Sequence, residues 1–379
     1  MPSRRLHRRK KKILLATVVF LPLAVGAILL ALYLRLGPRH LSEVERRAIA
    51  GRFRETIERA GGAQVWVKAP PYAAFPPARV DSAAEVLAMP ATFDAVLTAV
   101  KRRAEGEDLR VSIKITQAKE RWRLADVRLA RGREPAGRWR LREVGQLRRA
   151  AVIIDDLGQD LEAARKLLAL PYPITFSVLP HLLHSAVTAE EVHRSGHEVM
   201  LHLPMEPDSS AEPGKGEIRI GMQGSEVERV IAADLASVPY AVGVNNHMGS
   251  RATTQVALMG EVMAVLAERR LYFVDSRTTA ASVAFDAARR KGLPTFYRSV
   301  FLDDTETVTY TSRQLREFRR AIEGQGAALA IGHPYPTTLT ALARFLPELE
   351  KDDIQLVPAS QLLQLPEVAH VMPPRPTNP

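Results

Sequence analysis

From residue 149 onward, short apolar runs recur at near-regular intervals, separated by stretches with helical spacing. The pattern predicts strands at 151–154, 174–178, 198–201, 241–245, 272–275, 295–297, 327–331 and 355–357. Helices fit between most of them, at 159–170, 186–195, 225–236, 255–268, 280–291 and 311–323, the last stopped by Gly324. The runs are short and rich in β-branched residues, as strands covered on both faces are. Seven or eight such units in about 210 residues imply an α/β protein with a parallel sheet. The most economical closure is a deformed (β/α) barrel of seven or so strands over 149–366.

Residues 41–148 have a different texture. Helical spacing at 41–60 and 91–105 frames a strand at 64–68 and a four-proline loop at 69–78. Polar–apolar alternation then predicts antiparallel strands at 110–116, 120–129 and 138–144, a small α+β module. Trp122 and Trp139 belong in its core or rim. At the other end, the proline-rich stretch 367–379 reads as a disordered tail.

The first 40 residues supply an address. Seven Lys and Arg between positions 4 and 12 precede 22 uncharged residues, 13–34. As a helix this run is about 33 Å long, enough to cross a bilayer core. The cationic head favours the cytoplasmic side, which places the remainder outside, as a single-pass inner-membrane protein with a periplasmic domain. A cleaved signal peptide is the competing reading; the run is long for one, and no clean Ala-x-Ala site follows it.

Charge changes the picture of partners. The chain carries +11 overall, yet residues 1–40 hold nine basic and no acidic residues, and 41–148 hold 22 basic and 14 acidic. The barrel region is therefore acidic. A nucleic-acid partner is not expected without a recognition motif. A basic face towards anionic membrane or envelope polymer is open, as is a merely solvated basic surface. No cysteine is present, so any metal must use His, Asp, Glu or water.

Chemistry-bearing residues fall where the strands should end, the face that carries catalysis in barrels. They are Asp155-Asp156, His181, His202 with Glu206, Asn246-His247 with Ser250, Asp275 with Arg277, and His333. Neighbouring strand residues point to opposite sides, so Asp155 and Asp156 cannot do the same job. One could bind metal and the other act as base; alternatively one caps the next helix and the other is solvated. Two imidazoles and one carboxylate leave open positions on a zinc-like ion.

In order, IIDDLG, HEVMLHLPMEP, VNNHMGSR, FVDSRTT and IGHPYP resemble the divergent polysaccharide deacetylase family, a distant branch of the NodB-type carbohydrate esterases. The resemblance implies a deformed β/α barrel with a divalent metal, zinc being the expected ion, hydrolysing N-acetyl groups of an envelope glycan. It implies Asp155 as general base, Asp156 and His202 as metal ligands, and His333 as general acid. The second histidine of the family's metal-binding H-x-x-x-H is Glu206 here, and the usual R-x-P-Y block is absent. His247 is the expected third ligand, with Glu206 an alternative ligand or a support for His202. Asp275 either orients a catalytic group or caps the following helix; His181, Asn246, Ser250 and Arg277 are expected to line the cleft. The rival expectation is a catalytically silent glycan-binding or scaffold protein of the envelope.

Overall fold

The computed structural model describes residues 41–68, 84–117 and 122–363. The anchor expected at 13–34, the proline loop from residue 69 and the tail after 366 lie outside the described residues. Among the described residues, no helix is long and apolar enough to cross a membrane.

The N-terminal module is built on strands β1 (Val65–Val67), β2 (Ala84–Ala88), β3 (Arg110–Gln117), β4 (Arg123–Arg131) and β5 (Glu134–Glu143). Their order is β1-β2-β5-β4-β3, with β2 and β5 parallel and the other pairs antiparallel. Helices Glu43–Gly61 and Pro90–Gly106 supply Phe53 and Phe93 to a core completed by Trp139, Val127 and Leu141. Strand β2 is missing from the sequence pattern because Ala-Glu-Val-Leu-Ala has little intrinsic strand preference; pairing with β5 imposes it.

The second sheet is parallel throughout. It comprises β6 (Arg148–Leu157), β7 (Thr175–Val178), β8 (Glu198–Met205), β9 (Ala241–Met248), β10 (Tyr272–Asp275), β11 (Thr295–Tyr297), β12 (Val300–Phe301), β13 (Ala327–Gly332) and β14 (Ile354–Leu356). The order is β11-β10-β9-β8-β7-β6-β13-β12, with β14 also against β6. Between β11 and β12, Arg298 N–H donates to Asp275 of β10 at 2.9 Å and Ser299 N–H to Leu329 of β13 at 2.8 Å. One short segment thus donates hydrogen bonds to strands near both ends of the curved sheet. Strand β12 and this junction were absent from the sequence reading. The helix before β13 ends at Gln325, not before Gly324; its terminator is Gly326, left-handed at φ 79°.

Alternation along the strands sorts the barrel. Ala151 and Ile153 point inward with Met200, Val274, Leu329 and Ile331, whereas Ala150, Val152 and Ile154 face the surrounding helices. The same parity turns Asp155 into the barrel.

The module docks at the amino ends of the barrel strands, opposite the chemistry. Lys68 and Arg142 both grip Asp353, just before β14, and Arg149 of β6 donates to the Ala63 carbonyl.

Candidate metal centre

Strand β6 does not run straight to its end. Its register against β7 shifts between Ile154 and Leu157, a β-bulge, and Asp156 takes a left-handed backbone, φ 57°. Asp tolerates that conformation better than most residues, and bulges re-aim side chains beside functional sites. The expectation from alternation is corrected here: the bulge brings Asp156 to the same place as Asp155. Neither caps the next helix, because Asp160 does so, accepting from Glu162 and Ala163 N–H at 2.9 and 3.1 Å.

Asp156 Oδ1, His202 Nε2 and His247 Nδ1 form a nearly equilateral triangle. The separations are 3.2 Å for Asp156–His202, 3.0 Å for Asp156–His247 and 3.1 Å for His202–His247. Three ligands about 2.1 Å from one ion, spread by roughly 95–110°, would stand about 3.1–3.4 Å apart. Asp156 Oδ1 is buried and accepts no aligned hydrogen bond, despite two imidazole nitrogens beside it. A buried carboxylate oxygen left so, with two imidazole nitrogens aimed at the same point, is a donor set that a divalent cation would satisfy. The donor set therefore fits a divalent metal. Register explains how His247 arrives: β8 and β9 pair His202 with Asn245 and Pro204 with His247.

Asp155 and His333 flank the triangle. Asp155 Oδ2 lies 3.6 Å from His202 Nε2, and His333 Nε2 lies 3.6 Å from Asp156 Oδ2. Burial pushes the Asp155 carboxyl above its ordinary value. Burial would do the same to Asp156, but His202 and His247 hold it well below the carboxylate range. Burial opposes a charged imidazole at His202, yet the two aspartates raise its affinity for a proton. His333 is raised to about 9: burial acts against its charge, and is outweighed by Asp303, with Asp156 and Asp155 adding to the effect.

Several residues that build the site escaped the sequence reading. Asp303, wholly buried, accepts from the His333 backbone N–H at 2.6 Å and bonds His333 Nδ1 at 2.9 Å. The signal was present: Val-Phe-Leu-Asp-Asp at 300–304 repeats the apolar-then-paired-acid pattern of β6. Asn245, which the sequence places in the strand-end cluster without a role, bonds both Asp155 and His202. Arg298 lies beside Phe301, which meets the His333 ring edge-on. Its Nε and one terminal nitrogen donate to the carbonyls of Ser276 and Arg277 at 2.6 and 2.7 Å.

Other expected residues serve the surrounding loops. The Glu206 carboxylate accepts from Arg251 and from Ile220 N–H, both at 2.8 Å, so it is engaged away from His202. Asp275 accepts from Arg277 N–H, Ser282 Oγ and Phe285 N–H; it is the capping carboxylate of the two readings. His181 bonds buried Asp234 at 2.8 Å, Ser250 Oγ accepts from Asp208 N–H, and Arg277 stacks 3.6 Å over Tyr297. Asn246 ties Ser276 N–H to the Met248 carbonyl.

A parallel β/α sheet with two aspartates and three histidines gathered at its strand ends defines a barrel protein with a metal-type donor set. The family model of divergent polysaccharide deacetylases matches residues 152–363. The chain belongs to that family. It is 41% identical over 228 residues to the uncharacterized protein YibQ of Escherichia coli (strain K12), spanning 59% of this chain and 70% of the relative. An uncharacterized protein of Haemophilus influenzae is 34% identical over 226 residues, spanning 60% of this chain and 79% of its own. A crystal structure of an uncharacterized Agrobacterium tumefaciens C58 protein shares the fold, with TM-score 0.55 and 23% identity, covering 57% of this chain and 89% of that one.

Proposed function

We propose that the chain is a metal-dependent hydrolase that removes N-acetyl groups from an amino sugar of an envelope polysaccharide. The observation that carries the reading is the triangle of Asp156, His202 and His247 with Asp155 and His333 on its flanks. Those three residues would hold a divalent cation, zinc being the expected ion, which would supply Lewis acidity towards the acyl carbonyl and towards water. Asp155 keeps Oδ2 available for a proton, since Asn245 engages only Oδ1. His333, held by Asp303 and carrying a proton at neutral pH, is set to deliver it to the leaving amine. The envelope address draws on the cationic head and apolar run of residues 1–40.

The rival reading, a glycan binder without turnover, drew on Glu206 at the second histidine position. His247 on the neighbouring strand, 3.0 Å from Asp156, supports the hydrolase reading over that one. The test is acetate release from peptidoglycan fragments and chitooligosaccharides, together with metal content. Turnover that disappears in Asp155→Asn, with one divalent ion per chain lost in Asp156→Ala, is the expected result. Absence of stoichiometric metal, with Asp156→Ala indistinguishable from wild type, would refute the reading.

A further inference from the structure

Asn245 has all four of its side-chain hydrogen-bonding positions engaged, and every partner is buried. Its Oδ1 accepts from Ser177 Oγ at 2.6 Å and meets His202 Nδ1 at 2.8 Å. Its Nδ2 donates to Asp155 Oδ1 at 2.9 Å and to Ser276 Oγ at 3.2 Å. Asn245, Ser177, His202, Asp155 and Ser276 are each no more than 5% exposed. An amide carries its acceptor on one atom and its two donors on the other, so its orientation is not free. Asp155 must keep acceptor oxygens, hence the NH2 of Asn245 faces it, and the carbonyl faces His202. That carbonyl accepts only from a protonated Nδ1, which leaves His202 Nε2 as the lone-pair nitrogen facing Asp156 and His247.

We infer that Asn245 is a positioning residue that fixes two functional groups with one amide: the tautomer of the His202 ligand and the orientation of the Asp155 carboxylate. Its place in the barrel allows this. Asn245 lies on β9 directly across from His202 on β8, on the inward face, while β6 brings Asp155 from beyond β7. No other side chain touches both the base and the metal-binding imidazole through hydrogen bonds among the described residues. The part of the inference that concerns turnover rests on the hydrolase reading; the part that concerns His202 does not.

Two near-isosteric variants separate the two halves. Asn245→Asp keeps an acceptor for His202 Nδ1–H but replaces the donor to Asp155 with a like charge. Asn245→Leu removes both. Zinc affinity is measured by chelator competition. The 15N shifts of His202 are recorded in the zinc-free protein above the ring's pKa, where the neutral tautomer is visible. Wild type and Asn245→Asp should show Nδ1–H and bind zinc within about threefold of each other, whereas Asn245→Leu should mix tautomers and bind roughly 10- to 100-fold more weakly. Turnover should fall about 100-fold or more in Asn245→Asp despite full zinc loading. An unchanged His202 spectrum and zinc affinity in Asn245→Leu would overturn the ligand half. Wild-type turnover in zinc-loaded Asn245→Asp would overturn the base half. If Asn245→Leu does not fold, loss of the Nδ1–H pattern or of zinc affinity in Asn245→Asp overturns the ligand half by itself. If wild type turns over no glycan, the hydrolase reading falls and the spectrum and zinc affinity still decide the role of Asn245.

Discussion

At the scale of single residues, the site depends on how carboxylates divide between charge and support. Asp303 is the clearest case, because it spends both oxygens: one on His333 Nδ1, the other on the His333 backbone N–H and on Thr338. This raises His333 to about 9, against about 6.5 for a free imidazole. A group whose folded value is raised stabilises the fold fully below its unfolded value, and that contribution is lost as pH climbs through the folded value. In metal-stripped protein, wild type should therefore lose stability relative to His333→Gln between about pH 6.5 and 9. The loss should be on the order of 2–3 kcal/mol, and Asp303→Asn should show little of it. Denaturant titrations across that range check it; a difference between wild type and His333→Gln that stays flat with pH would remove Asp303 as the cause.

At the scale of elements, the strand ends are irregular where they carry chemistry. Asp156, His181, Met248 and Arg277 all have positive φ, and each follows or closes a strand of the barrel. Inside the barrel the constraint is space. The ring of Tyr272 crosses Gly243, so that a Cβ there would sit 2.2 Å from Tyr272 Cζ, while the Tyr272 hydroxyl donates to Glu198 at 2.8 Å. Gly243 lies two residues before Asn245 and four before His247 on β9. Gly243→Ala must displace either the Tyr272 ring or β9, at a cost of about 1–3 kcal/mol. We expect a lower unfolding midpoint and weaker zinc binding together, read by thermal melts and chelator competition. Weaker stability with unchanged zinc affinity would mean that the ring moves and β9 does not.

At the scale of the whole molecule, the module and the candidate metal site occupy opposite ends of the barrel. The ion-paired contact of Lys68 and Arg142 with Asp353 is partly exposed and contributes on the order of 1 kcal/mol, beside the hydrogen bond from Arg149 of β6 to the Ala63 carbonyl. Asp353→Ala should loosen the module, seen as faster proteolysis between residues 142 and 149, and leave zinc affinity unchanged. A change in zinc affinity would show that the module reaches the site through the β6 strand it leads into.

The sequence by itself determined a good deal. Apolar runs spaced by amphipathic stretches specify a parallel β/α architecture, because such strands have no other way to bury both faces. The strand at 272–275 and that at 295–297 were legible to the residue. So were Asp156, His202 and His247 as candidates, since chemistry in this architecture gathers at strand ends. Tertiary structure decided the rest. Period-two alternation separates Asp155 from Asp156; only the bulge, fixed by pairing with β7, reunites them. Strand register between β8 and β9 chose His247 over Glu206, and no local pattern encodes a register between strands about 40 residues apart. The roles of Asn245, which stands in the strand-end cluster, and of Asp303 are hidden for the same reason: each acquires its role only from partners brought close by the curved sheet, through hydrogen bonds that span 30 to 90 residues of chain.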